Sequence, residues 1–268
     1  MKKTLFVLSI SYLFFTALLL LASFVGSMNA SLGKAVYSLA FIVTIAGTSY
    51  IFRSGERLSL SLGFSRTGAL AAIIFTAPFI LLAFVLSFLT SLLLGTIGYE
   101  VPAMDVGENL FFAIFFHAVC PAVLEELLFR YVPIRALGAE SPKMAVIYSA
   151  ILFSLAHLNL YQIPHAFVSG IILALIVACC GSVMPAIVIH FLNNLASILW
   201  QSYSESAPFR VAFILVLFPL ALLSALAAIL FRKKIRAALA PALADKTKFI
   251  LTPALAVYAV ITVALSFL

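Results

Sequence analysis

The chain has 268 residues, of which 65% are hydrophobic and only 9% charged, with a mean hydropathy of +1.24. Soluble domains carry about 25% charged residues, so this composition excludes an ordinary soluble globule and describes a membrane protein. The net charge of +7 does not imply a nucleic-acid partner, because the basic residues flank apolar segments, where the positive-inside rule collects them.

Long apolar runs without two-residue alternation predict helices rather than barrel strands. The fold class expected is all-α, a polytopic transmembrane helical bundle of 8–9 spans. The first run begins at about residue 4 and ends at about 26. It resembles a signal peptide, but it is too long for an h-region and "MNA" is a poor cleavage site, so a retained span is expected. Further spans are expected at about 34–52, 68–97, 109–136, 144–159, 163–180, 183–202, 209–231 and 249–268. Between the fifth and sixth, "LNLYQIP" is a short connection, and Pro164 restarts the helix at its first turn. The segment "RKKIRAALAPALADKTK", between the eighth and ninth, reads as a basic, partly helical stretch along the membrane surface.

Loop charges set the expected orientation. Lys2 and Lys3, then Arg53, Arg57 and Arg66, then Arg135 and Lys143, then Arg232 to Lys248 fall in alternate loops. The remaining loops carry Glu100, Asp105, Glu108 and Glu205. Nine spans with a cytoplasmic N-terminus put every basic cluster inside, as in a bacterial plasma membrane. Cys120, Cys179 and Cys180 have no metal or disulfide spacing and read as small buried hydrophobes.

Ionisable groups are expensive inside a bilayer, at about 2.5–3.5 kcal/mol each on insertion scales. They are not scattered. Span four holds His117, Glu125, Glu126 and Arg130; span five His157; span six His165; span seven His190, Asn193 and Asn194. Spans one, two, three, eight and nine have almost none in their interiors, so they read as a lipid-facing jacket around a four-helix polar core. The organisation expected is N-terminal spans over 1–104, a core over 105–205 and C-terminal spans over 206–268. Glu126 and Arg130 are i and i+4 and can pair on one face. Glu125 is turned about 100° from Glu126 and needs a partner on another helix. Helix rise places it roughly 17 Å from the cytoplasmic end of its span. His190 and Asn194 are i and i+4 and present an imidazole beside an amide. Asn193 reads as packing, and His165 as a core or interface histidine.

"EELLFR", "FSLAH" and "HFLNN" resemble, in order, the EExxxR, FxxxH and HxxxN motifs of the CAAX-protease and bacteriocin-processing family of intramembrane proteases. The resemblance covers about residues 105–205. Tyr131 stands where many relatives have glycine, and Pro133 follows. The resemblance implies Glu125 as general base for a water, His157 as a second holder of that water, and His190 and Asn194 as oxyanion donors. Glu126 and Arg130 would shape the site.

The residues themselves point the same way. Peptide hydrolysis needs a base and oxyanion donors, and no serine triad or HExxH motif is present. A carboxylate with two histidines is also a zinc-ligand set, with Glu125, His157 and His190 as ligands. A metal-free glutamate mechanism fits equally, and no cofactor is required on that reading. The partners expected are the lipid bilayer and a membrane-associated peptide or protein substrate, with no nucleic acid. A non-enzymatic scaffold or bacteriocin-immunity protein, and a proton-coupled transporter, are the competing readings.

Overall fold

A computed structural model describes residues 1–53, 58–99, 101 and 109–266. Arg57, Glu100, Asp105 and Glu108 lie outside the described residues. Ten helices are present among those described: α1 (Lys2–Met28), α2 (Ala30–Ile51), α3 (Arg66–Gly95), α4 (Leu110–Leu137), α5 (Pro142–Ala156), α6 (Ile163–Cys180), α7 (Met184–Tyr203), α8 (Ala207–Leu230), α9 (Arg232–Ala244) and α10 (Pro253–Leu265). There is no strand among them, only an isolated bridge between Ser61 and Ser182. The all-α membrane bundle is therefore what the chain forms.

Six helices, α1 to α4, α6 and α8, are long and apolar enough to cross a bilayer. Helices α5 and α10 are shorter, with 15 and 13 residues. Helix α7 has 20 residues but carries His190, Asn193, Asn194 and Gln201 and falls outside the six. The nine expected spans thus correspond to nine helices, only six of which have spanning length and composition. The basic stretch expected to be partly helical forms α9, which has no buried residue.

The chain divides into two compact units. The first comprises Met1–Leu60, Leu127–Ala174 and Ala242–Leu268. In it α1 and α2 form a hairpin at Asn29, whose side chain caps α2 by accepting from the Leu32 N–H. The hairpin closes tightly: a Cβ on Gly33 would lie 2.4 Å from the Gly26 Cα. Tyr12 and Phe15 of α1, Phe41 of α2, Phe129 of α4 and Phe153 of α5 make one aromatic cluster of edge-to-face and tilted pairs, with centroids 4.7–5.9 Å apart.

The second unit comprises Ser61–Glu126 and Leu175–Pro241. Here Phe84 of α3, Trp200 of α7 and Phe213 of α8 meet at 5.3–5.7 Å. The turn before α7 is fixed by paired bonds, Ser61 N–H to Gly181 O (2.8 Å) and Val183 N–H to Ser61 O (3.2 Å). Gly181 has φ +63°, which glycine adopts without a Cβ penalty. Leu215, Phe218, Leu222 and Leu230 of α8 are all exposed. An apolar exposed face of this extent is a lipid-facing surface.

Helix α4 is not a regular α-helix. Two π turns interrupt it, Phe115–Val119 and Leu127–Tyr131, and they bracket Glu125 and Glu126. A π turn shifts bonding to i→i+5 and releases carbonyls from the α ladder. Those of Leu128 and Phe129 find hydroxyl donors in the first unit. The Tyr12 hydroxyl donates to Leu128 O, and Ser149 Oγ donates to Phe129 O at 2.5 Å. Buried carbonyls are thereby satisfied, and α1 and α5 are tied to the turn that carries Arg130.

Candidate active site

In the second unit, α4 brings Glu125 and Glu126 to α7. Consecutive residues on a helix differ by about 100° in direction, yet both carboxylates reach the same ring, because an imidazole carries nitrogens on two edges. Glu126 Oε1 lies 2.8 Å from His190 Nδ1. Glu125 Oε2 lies 3.8 Å from His190 Nε2, outside direct hydrogen-bond range.

Burial separates the two carboxylates. The Glu126 side chain is fully buried and that of His190 is 8% exposed, whereas the Glu125 side chain keeps 14%. A buried carboxylate needs a charged or hydrogen-bonded partner, and the ring supplies one. With Glu126 ionised it is an acceptor only, so Nδ1–H donates to it and Nε2 faces Glu125. Sequence spacing pairs Glu126 with Arg130; the structure puts His190 of another helix against Glu126.

Asn194 follows His190 by one turn of α7, and its Oδ1 lies 3.5 Å from Asn193 Nδ2. His117 sits in the first π turn of α4, which also packs on α7. It matches none of the three motifs.

Arg130, Phe153 and His157 belong to the first unit. The Arg130 side chain is fully buried, with its guanidinium carbon 3.9 Å above the Phe153 ring. That contact is a desolvated cation–π pair. The His157 ring meets Phe153 edge-on at 4.7 Å, and its Nδ1 lies 2.9 Å from Phe153 O. His157 is the C-cap of α5, and Leu158 beyond it has φ +50°. A leucine in the left-handed region is strained, and the chain turns out of the helix there. Sequence reasoning gave Phe153 no role of its own. Its signal was the i, i+4 spacing to His157, which puts ring and imidazole on one face.

Among the described residues, no three His, Cys, Asp or Glu side chains are grouped to hold a metal ion. A catalytic zinc takes three protein ligands. Within the second unit the donors for one would be Glu125 and His190, since Glu126 is engaged at Nδ1.

Residues 105–196 match the family model described as Type II CAAX prenyl endopeptidase Rce1-like. The matched segment is about a third of the chain and is similar to that protease family. It contains all three motifs, so the resemblance read from "EELLFR", "FSLAH" and "HFLNN" and the family match agree. No curated protein and no solved structure matches the chain.

Proposed function

We propose that the protein is an intramembrane endopeptidase that hydrolyses a membrane-associated peptide with a glutamate-activated water. Glu125 takes a proton from the water as its oxygen attacks the scissile carbonyl carbon. The oxyanion that forms accepts hydrogen bonds from His190 Nε2–H and from the Asn194 amide. Glu125 then passes the proton to the leaving amine as the C–N bond breaks, completing a general-base then general-acid cycle. Donation from Nε2 while Nδ1–H is held by Glu126 uses both ring nitrogens as donors. Arg130, stacked on Phe153, shapes the backbone that carries the acid pair.

The observation that carries this reading is the contact of both carboxylates with one imidazole, on a segment matched to an endopeptidase family. The family description supports a substrate of prenylated CAAX type; a bacteriocin-like precursor is the other membrane-borne class. The test is cleavage of a membrane-tethered peptide by the purified protein in proteoliposomes. Glu125→Gln should abolish turnover with the thermal midpoint unchanged. Full turnover by that variant would sink the proposal.

A further inference from the structure

Basic side chains gather at one end of the first unit. The Met1 amine meets Glu140 Oε2 at 2.5 Å, just after α4 ends. Asp245 accepts from Ser141 Oγ and from the Lys143 N–H, at the start of α5. Leu58, in the segment after α2, approaches Gly138. The start of α1, the end of α2, the end of α4 and the start of α5 therefore share this end. Lys2, Lys3, Arg53, Lys143 and Lys246 lie there, while Glu140 and Asp245 are already engaged.

A shallow crevice opens at this end between α2 and α4, lined by Ser49, Phe52, Tyr131, Val132, Arg135 and Ala136. Arg135 is half-buried. Its Nη1 donates to the Tyr131 hydroxyl at 2.7 Å, which fixes the guanidinium and uses one of its five N–H donors. No carboxylate is within ion-pair distance of it among the described residues. A held guanidinium with spare donors forms a fork matched to phosphate oxygens. Ser49 adds a hydroxyl. Phe52, Val132 and Ala136 complete the lining, and at the end of a membrane bundle the phosphate within reach is that of a lipid headgroup. Basic pockets between membrane helices bind lipid headgroups on the same physics.

We propose that Arg135, at the mouth of this crevice, takes the phosphodiester of an anionic phospholipid as the fork, with Ser49 as a second donor. The site is independent of the hydrolytic reading.

The test uses the full chain in detergent, stripped of lipid and offered dioleoylphosphatidylglycerol, dioleoylphosphatidylcholine or inorganic phosphate. Native mass spectrometry counts bound lipid, and the thermal midpoint reports occupancy. Phosphatidylglycerol should bind in preference to phosphatidylcholine. Arg135→Gln should weaken it about tenfold, as expected for losing charge-assisted bonds. Arg135→Lys, which keeps charge but not the fork, should fall between. Arg210→Gln, altered in the second unit, should bind as the unmodified protein does. If Arg135→Gln does not fold, Ser49→Ala should still weaken binding by about fivefold, one neutral hydrogen bond. Unchanged binding in Arg135→Gln, or in Ser49→Ala where that variant stands in, overturns the proposal. So does equal binding of both lipids. Phosphate alone reproducing the thermal shift, or displacing the lipid, assigns the crevice to a free anion and overturns it too.

Discussion

Replacing Glu126 by Gln separates two roles for the buried carboxylate. As a partner of Arg130 alone, Glu126 would matter to stability. Its 2.8 Å contact with His190 Nδ1 adds a second role, because the same bond orients the ring. A hydrogen bond to a charged group contributes about 1.5–3 kcal/mol. If that energy is realised as negative charge develops on the substrate, it appears in kcat/KM. At about 1.36 kcal/mol per tenfold, Glu126→Gln should lower kcat/KM by about 10- to 150-fold. The assay is steady-state cleavage of a membrane-tethered fluorogenic peptide, with the thermal midpoint measured on the same preparation. A midpoint that falls while kcat/KM stays within about twofold of the original would refute the argument; the bond would then serve the fold alone.

Further outcomes follow from the packing. Phe153→Leu should lower the thermal midpoint and weaken cleavage together, because the ring stacks on Arg130 and meets His157; Phe153→Ala should cost about 3–5 kcal/mol, read by thermal or denaturant unfolding. Gly33→Ala should destabilise by about 1–3 kcal/mol, since its Cβ would meet backbone at 2.4 Å, whereas Gly26→Ala, with 3.7 Å available, should be tolerated. The Ser141 and Thr247 hydroxyls and nearby N–H groups hold the Asp245 carboxyl well below the usual carboxylate range. A lowered folded pKa contributes stability above the unfolded value of about 3.9 and loses it as pH falls further. The midpoint difference between the original protein and Asp245→Ala should therefore persist at neutral pH and shrink only below about pH 4; Asp245 is largely solvated, so the difference should be small.

The helices were legible because apolar periodicity and length are local properties. Helix α6 starts at Ile163, beside the Pro164 that marked the restart. Helix α2 ends at Ile51, within a residue or so of the expected limit. The concentration of ionisable residues on spans four to seven was legible too, since charge in an apolar chain is conspicuous. The two π turns of α4 were not. No residue type demands an i→i+5 bond; the turn at Leu127–Tyr131 coincides with hydroxyls delivered by Tyr12 and Ser149, from 116 and 20 residues away.

By itself the sequence determined that this chain lives in a membrane, which helix carries the acid pair, and which three motifs accompany it. Hydrophobicity and spacing are written into consecutive residues. Tertiary structure decided how the buried groups pair. Sequence spacing offered Glu126 to Arg130 and sent Glu125 elsewhere, but the ring of His190 lies against both carboxylates. That choice depends on how α7 packs against α4, and helix packing is set by side chains far apart in the chain.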